Sequence, residues 1–222
     1  MRNRRFFLSN TQLILLSFLG AILAGSLLLS LPVSMADGRA ISFTDAFFTA
    51  TTAVCVTGLV TVPVTAFSPL GQAVILVLMQ IGGLGVITVM SAFTLAFHRK
   101  VGLGDRLLLQ DAFNLNGISG VVKFIRRAVV GTFALEGAGA LFVMTAFVPR
   151  YGVRGIWYAV FHAVSAFCNA GLDVLGTNSL CEWADSPLVC GVTECLIILG
   201  GIGSWSGGTW RGSPGSGGNC GI

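Results

Sequence analysis

Two twelve-residue stretches of this chain match each other without a gap. Residues 48–59 read FTATTAVCVTGL and residues 161–172 read FHAVSAFCNAGL, so Phe, two Ala, Cys, Gly and Leu fall at the same positions. Each copy lies between two long apolar segments and is too short to cross a bilayer as a helix. Each also contains a glycine that frees the backbone to turn its carbonyls aside. The repeat therefore predicts two similar units, each with a re-entrant pore loop.

The composition indicates that these units are surrounded by lipid. Of the 222 residues, 54% are hydrophobic and only 10% are charged, a balance that a water-soluble chain of this length could not hide in one core. The net charge of +4 does not indicate a nucleic-acid partner, because the basic residues form no single patch and are not interleaved with aromatic residues. We therefore predict an all-α integral membrane protein whose partner is the lipid bilayer.

Four segments are apolar over about the 20 residues that one membrane span needs. We predict transmembrane helices at Leu13–Leu31, Leu70–Phe97, Ala128–Val148 and Leu188–Trp205. The first follows a basic start, as the core of a signal peptide does, but its apolar run is longer than a typical signal core.

Basic residues are distributed unequally between the two sides of these spans. Nine lie before the first span or between the second and third, and three lie in the other connections: Arg2, Arg4, Arg5, Arg99, Lys100, Arg106, Lys123, Arg126 and Arg127 against Arg39, Arg150 and Arg154. Because cytoplasmic loops carry the excess of Lys and Arg, the N-terminus and the 98–127 connection are predicted to be cytoplasmic. Both repeated loops then face the outer side of a multi-pass protein of the cell membrane.

A glycine cluster in the span after each loop is the second repeated feature. Gly82, Gly83 and Gly85 match Gly200, Gly201 and Gly203. Small residues commonly let membrane helices pack closely, which would explain one such cluster. It explains less well why two clusters fall at corresponding places after two matching loops. The predicted unit is therefore a span, a re-entrant loop and a glycine-rich span, present twice.

The six cysteines do not indicate a metal or redox site. They form no Cys-x-x-Cys pair and have no histidine at a zinc-site spacing. Cys55 and Cys168 are equivalent in the repeat, so we expect two small side chains packed behind the loops. Cys181 and Cys190 could meet as a disulfide, which is the less favoured alternative. No nucleophile–base pair or phosphate loop is visible, so an enzyme is not predicted.

Several motifs together resemble one known family. Residues 51–58, 80–85, 102–110 and 163–173 resemble the Trk/Ktr/HKT superfamily of potassium transporters, and the bacterial KtrB/TrkH branch most. The resemblance extends from the first span to about Gly203. Members carry four such units in one polypeptide, arranged around a single pore like the four subunits of a potassium channel. This chain contains two units and resembles the N-terminal half of a member.

The resemblance implies potassium uptake through a filter of backbone carbonyls. Carbonyls aimed at a pore leave the helix ladder, so each unit needs a short pore helix, here Phe43–Val54 and Ile156–Phe167, before an extended filter strand, Cys55–Leu59 and Cys168–Leu172. The coordinating carbonyls implied are those of Cys55, Val56, Thr57, Gly58, Cys168, Asn169, Ala170 and Gly171. The implied transported ion is potassium, with sodium as a candidate coupling ion, and no other metal is expected.

Four polar residues lie in or beside apolar segments. Asp173 directly follows the second filter strand and is either a charge at the outer pore mouth or a solvated loop carboxylate. Glu136 should face the protein interior, because an unpaired carboxylate in lipid is costly, and Gln80 is a milder case. His162 is expected to be a hydrogen-bonded structural residue rather than a ligand.

The chain is divided by these features into four parts. Residues 1–97 form the first unit, 98–127 a cytoplasmic connection, 128–203 the second unit and 204–222 a Gly/Ser-rich tail. The connection has the pattern of an amphipathic segment on the membrane surface, and the resemblance adds a docking surface for a cytosolic nucleotide-binding regulatory ring. The tail is typical of a linker or disordered segment. Since family members continue with apolar sequence there, we expect a truncated or frame-shifted end.

Two functional hypotheses follow. The first is potassium transport across the cytoplasmic (inner) membrane, with the remaining units supplied by a second copy or by the missing half. The second is a truncated, non-transporting membrane remnant of such a transporter. The repeated filter favours the first hypothesis, and the aberrant tail favours the second.

Overall fold

The computed structural model describes residues 10–85, 121–176 and 178–206, and the regular secondary structure of this part of the chain is helical. Within these ranges, six α-helices follow in chain order: α1 Asn10–Leu29, α2 Phe43–Cys55, α3 Pro69–Leu84, α4 Val121–Tyr151, α5 Arg154–Phe167 and α6 Pro187–Ser206. Short 3-10 turns at Pro32–Ser34, Val64–Ala66 and Ser179–Trp183 lie in the connections. Within the described ranges, β-pairing is limited to an isolated bridge between Met35 and Phe67.

The six helices form two units of three. In each unit the short middle helix packs against the longer helices on both sides, α2 against α1 and α3, and α5 against α4 and α6. The outer helices also meet in the same way, because a Cβ atom on Gly25 of α1 would lie 2.6 Å from Leu78 of α3, and one on Gly139 of α4 would lie 2.6 Å from Leu196 of α6. Glycine at these positions lets the helices approach closely. These matching contacts define which residues of the outer helices are equivalent in the two units.

The buried core of the first unit includes part of the second. Leu29, Ile75 and Met79 are buried in one cluster together with Phe161 of α5 and Leu172 of the following loop. A hydrogen bond crosses the same boundary, where Nε1 of Trp157 in α5 donates to Oε1 of Gln72 in α3 at 2.8 Å. The contact between α3 and α5 therefore joins the units into one packed body.

Capping residues explain where two of the helices begin. Ser42 precedes α2, and its hydroxyl accepts a hydrogen bond from the amide of Thr44. Ser68 precedes α3 and accepts from the amide of Gly71, with Pro69 at the first helical position. Both arrangements satisfy amides that a helix start leaves without partners.

Long apolar helices with exposed apolar side chains are consistent with lipid surroundings. Within the described residues, the segment Arg126–Tyr151 of α4 is long and apolar enough to cross a bilayer by its length and composition, and Ile14–Leu29, Pro69–Leu84 and Pro187–Ile202 are apolar but shorter. Leu15 and Leu141 are 69% and 67% exposed. Such surfaces are unfavourable in water.

The predicted helices agree with the observed ones except in the second span. The two short helices and the first, third and fourth spans correspond to α2, α5, α1, α4 and α6. The predicted helix Leu70–Phe97 is not continuous, because α3 ends at Leu84 and Gly85 has a positive φ of 79°. A glycine with a positive φ commonly ends a helix. Residues 86–97 of that prediction lie outside the described residues. The N-terminal arginines, most of the 98–127 connection and the tail from residue 207 lie outside the described residues.

Candidate functional site

The loops that follow α2 and α5 have the same backbone conformation. Val56 and Asn169, at matching positions of the repeat, have φ of 56° and 59°, and Gly58 and Gly171 have φ of 75° and 66°. A positive φ costs glycine little, but it is strained for a β-branched valine. Strain of this kind persists only where the surroundings enforce it and is common at functional sites. The repeat is thus conserved between the units in backbone geometry as well as in sequence.

A hydroxyl group supports each loop at the same place. Oγ1 of Thr52 accepts a hydrogen bond from the amide of Leu59 at 3.0 Å, and Oγ of Ser165 accepts one from the amide of Leu172 at 3.0 Å. These supports were not predicted from the sequence. The signal was present, because the two aligned stretches carry Thr52 and Ser165, both hydroxyl residues, at the same position.

The two loops meet backbone to backbone. A Cβ atom on Gly58 would lie 2.8 Å from the carbonyl oxygen of Ala170, and one on Gly171 would lie 3.6 Å from the Cα atom of Gly58. Such an approach is possible because neither glycine has a side chain. The structure therefore brings together the two predicted filter strands, which are 113 residues apart in the sequence.

The glycine clusters allow the third helix of each unit to cross the end of the short helix. A Cβ atom on Gly82 would collide with the carbonyl oxygen of Val54, and one on Gly200 with that of Phe167. Val54 and Phe167 are equivalent in the repeat, so the predicted match of Gly82 with Gly200 is confirmed. The match of Gly85 with Gly203 is not reproduced, because α3 ends before Gly85 whereas α6 continues to Ser206.

The carbonyl groups of the eight predicted filter residues have no hydrogen-bond donor among the described residues. Neither backbone amides nor side chains donate to the oxygens of residues 55–58 or 168–171. Backbone carbonyl oxygens are strong acceptors, so oxygens without a protein donor can accept from water or coordinate a cation. Grouped carbonyl oxygens are the ligands that replace the water shell of a potassium ion in selectivity filters.

The polar residues near the second loop are engaged within the protein. Asp173 accepts hydrogen bonds from the amide of Leu175 at 2.9 Å and from the hydroxyl of Ser179 at 2.6 Å. Both carboxylate oxygens therefore bond the connection between α5 and α6. His162 is buried, and its Nε2 lies 2.8 Å from Oγ1 of Thr193, which confirms the prediction of a hydrogen-bonded structural histidine.

Glu136 lies inside the protein, as expected. It is 4% exposed, and Nε2 of Gln80 donates to its Oε2 atom at 2.5 Å. The sequence indicated that both residues needed a partner but did not show that they would be partners of each other. They are 56 residues apart in the chain and belong to different units.

The two equivalent cysteines lie in different environments. Cys168 is buried at 8% exposure, as predicted, but Cys55 is exposed, so the expectation that it packs behind its loop is wrong. No neighbouring helix covers Cys55 within the described residues. Cys181 and Cys190 are free thiols rather than a disulfide, and Sγ of Cys190 contacts the carbonyl oxygen of Trp183 instead.

Comparison with known proteins identifies the family. The model of a cation transport protein family, TrkH, matches residues 11–204. The potassium/sodium uptake protein NtpJ of Enterococcus hirae is 40% identical over 198 residues, which are 88% of this chain and 44% of that relative. The Ktr system potassium uptake protein B is 38% identical in Bacillus subtilis, over 86% of this chain and 43% of the relative, and 36% identical in Vibrio alginolyticus, over 90% and 44%.

The family model covers most of the chain, from the first helix to the second glycine cluster. The chain spans less than half the length of the curated relatives it matches. Those relatives are named as uptake proteins, which are transporters and not enzymes, and such proteins are embedded in membranes. The chain therefore belongs to the TrkH family of cation transport proteins and is a Trk/Ktr superfamily membrane subunit of the KtrB type.

Proposed function

We propose that this chain supplies two units of a potassium uptake protein and that its two loops line the cation pathway. The observation that carries the proposal is the set of carbonyl oxygens at residues 55–58 and 168–171, which have no donor among the described residues. The relatives named as potassium uptake proteins support potassium as the ion. Sodium is the second candidate cation, because one relative is named a potassium/sodium uptake protein.

Two features of the units favour a cation at the loops. The C-terminal ends of α2 and α5 lead directly into them, and the partial negative charge of a helix C-terminus attracts a cation. The loops also have little freedom to relax, because Thr52 and Ser165 hold their far ends. A fixed set of oxygens can replace the hydration shell of an ion without a large rearrangement. Asp173 is a further source of negative charge beside the second loop.

Two units would supply half of a closed ring, so we propose that further units complete it. In the first unit Ala53, Ile75 and Met79 are buried in one cluster with Phe161 of the second unit. The equivalent residues of the second unit, Ala166, Thr193 and Ile197, line an open cavity of 210 Å³. The cavity lies where the next unit would place its own short helix. The remainder of a longer chain, or a second copy, could supply that unit.

The rest of the proposed organisation follows the sequence analysis. Residues 1–97 and 128–203 would be the two units, and the connection 98–127 would lie in the cytoplasm with the N-terminus. That connection is the proposed docking surface for a cytosolic nucleotide-binding ring, and the relatives named as parts of a Ktr system support a multi-component assembly. The competing proposal is a membrane remnant that inserts but does not transport.

Co-expression tests the proposal against this alternative. The chain would be expressed in a potassium-uptake-deficient bacterium, alone and with the remaining segment of Ktr system potassium uptake protein B from Bacillus subtilis. We expect growth at low potassium only in the second case, since two units leave half of the oxygens missing. Absence of growth and of rubidium uptake with both segments present in the membrane would favour the remnant.

Substitution of a loop glycine tests the filter itself. In the active combination, Gly58→Ser should lower the ratio of rubidium to sodium uptake by about tenfold, equivalent to about 1.4 kcal/mol of lost discrimination. Gly38→Ser is the matched control, because Gly38 also has a positive φ, of 70°, but a Cβ atom there meets nothing within 4 Å. Equal ratios for the two variants would contradict a filter at Gly58.

A further inference from the structure

Three polar side chains meet behind the start of the second loop, at the boundary between the units. Gln80 comes from α3, Glu136 from α4, and Cys168 is the first residue after α5. All three are buried, with exposed fractions of 9%, 4% and 8%. Besides the Gln80–Glu136 hydrogen bond, Sγ of Cys168 lies 3.8 Å from Oε1 of Gln80 and 4.0 Å from Oε1 of Glu136. Each side chain thus contacts both of the others.

The first unit has no such group at the equivalent place. The paired contacts of Gly25 with Leu78 and of Gly139 with Leu196 align the two units. In this alignment Ile22 corresponds to Glu136, Ile198 to Gln80, and Cys55 to Cys168. The first unit therefore has Ile22 and the exposed thiol of Cys55 where the second unit has Glu136 and Cys168, so a unit of this kind folds without the buried carboxylate.

Burying a carboxylate inside a membrane protein costs free energy, so the presence of Glu136 needs an explanation. Replacing a buried polar pair by well-packed apolar residues is often neutral or stabilising, whereas removing one partner is costly. Intramembrane ionisable residues therefore commonly mark functional positions. Stability of the unit alone does not account for Glu136, since the first unit has Ile22 there.

Backbone bonds hold the second loop through its amides alone, because the amides of residues 168–170 donate to backbone oxygens of α5. The carbonyl groups of residues 168–171 have no donor among the described residues, so they do not fix the loop. Gly83 lets the backbone of α3 come close to Cys168, because a Cβ atom on Gly83 would lie 2.5 Å from Sγ. The thiol is a weak donor, and the oxygens of Gln80 and Glu136 are the acceptors that it meets.

We propose that Gln80, Glu136 and Cys168 form a polar clasp that fixes the start of the second loop against the first unit. Glu136 and Gln80 are then positioning residues, which act on the loop through Cys168. The consequence for cation discrimination rests on the proposed function, whereas the clasp itself does not. The clasp is specific to this boundary, because Ile22, the first-unit equivalent of Glu136, has no polar group to contribute.

Alkylation of Cys168 in the membrane-inserted full chain tests the clasp without any transport. The other five cysteines would be replaced by alanine and the rate of reaction with N-ethylmaleimide measured. We expect Glu136→Leu to raise the rate by about tenfold or more, because local opening would become easier by about 1.4 kcal/mol. Glu136→Gln, which can still bond Gln80, should stay within about twofold of the parent rate, equivalent to about 0.4 kcal/mol.

Two controls separate a local effect from general loosening. Gly137→Ala changes the next residue of α4, where a Cβ atom meets nothing within 4 Å, and should leave the rate unchanged. A second background keeps only Cys190, which bonds the backbone of the outer loop, and Glu136→Leu should leave its rate unchanged. An unchanged Cys168 rate in Glu136→Leu, or an equal rise at Cys190, would overturn the clasp.

A double variant covers the case in which Glu136→Leu fails to insert. The double variant Gln80→Leu, Glu136→Leu removes both partners together, so no unpaired polar group remains buried. This variant should insert and still expose Cys168 to alkylation. Insertion with a protected Cys168 would contradict the proposal.

Rubidium and sodium uptake with the co-expressed segment distinguishes the clasp from the proposed transport function. Faster alkylation without uptake in any combination refutes only the transport function, and selective uptake with a protected Cys168 in the Glu136→Leu variant refutes only the clasp.

Discussion

The two units share a loop conformation but differ in how their loops are buried. The left-handed residues and the hydroxyl support occur at the same positions in both. Leu59 at the end of the first loop is 62% exposed, whereas its equivalent, Leu172, is 2% exposed. Cys55 and Cys168 differ in the same sense.

The difference shows that conformation and burial have separate origins. Conformation is set within each unit by the residues of the short helix and its loop, so it repeats where the residues repeat. Burial is set by the neighbour: the second loop packs against α3 of the first unit, whereas Cys55 and Leu59 of the first loop stay exposed although that loop meets the second one at Gly58. The burial of the second loop thus depends on the unit beside it.

The largest expected effect concerns the orientation of the two units in the membrane. If their loops lay on opposite sides, the two units could not be equivalent. Asp37 and Asp185 are exposed residues in the connections of the first and second units that are predicted to face outward. In a cysteine-free chain, Asp37→Cys and Asp185→Cys should both react with an impermeant maleimide on intact cells, because the two loops meet on one side. Lys100→Cys, in the predicted cytoplasmic connection, should react only after permeabilisation. Labelling of only one of the outer positions on intact cells would mean that the units have opposite orientations.

Substitution of the glycines at which the third helix of each unit crosses the short helix should have the next largest effect, on the stability of the protein. Gly200→Ala should destabilise the protein by about 3 kcal/mol or more, because the added methyl group overlaps a backbone carbonyl that cannot move aside easily. Gly82→Ala should behave alike in the first unit. The neighbouring Gly201→Ala is the control, since its Cβ atom meets nothing within 4 Å. Thermal unfolding in detergent measures the difference, and equal stability of the Gly200 and Gly201 variants would contradict the packing described here.

The hydroxyl supports should have smaller and unequal effects. Ser165→Ala leaves the amide of buried Leu172 without its acceptor, which costs about 1–3 kcal/mol. At the amide of Leu59 the effect of Thr52→Ala should be smaller, because Leu59 is exposed and water can replace the hydroxyl as acceptor, although the substitution also removes the bond between the Thr52 and Thr57 hydroxyls. Hydrogen exchange at the two amides, with Ser165→Thr and Thr52→Ser as conservative controls, measures both effects. A larger effect at Thr52 would mean that burial does not set the cost.

Much of the fold was predictable from periodic and repeated sequence features. The short helices were found because two aligned stretches lie between apolar segments, and α2 and α5 have nearly the predicted bounds. The break at Gly85 was not predicted, because apolar residues continue past it and hydropathy does not register one left-handed glycine. The pairing of Gln80 with Glu136 was also out of reach, since no local pattern relates residues in different units.

The sequence by itself determined the repeat, the helical units, the family and the glycines on which the loops depend. These properties follow from residue types at fixed local spacing, which a single unit can express. Only the tertiary structure decided which of two equivalent residues is buried, as with Cys55 and Cys168, and which polar groups meet, as with Gln80 and Glu136. Burial and pairing depend on the neighbour that a residue faces, and that neighbour is brought there by the packing of α3 against α5 rather than by the local sequence.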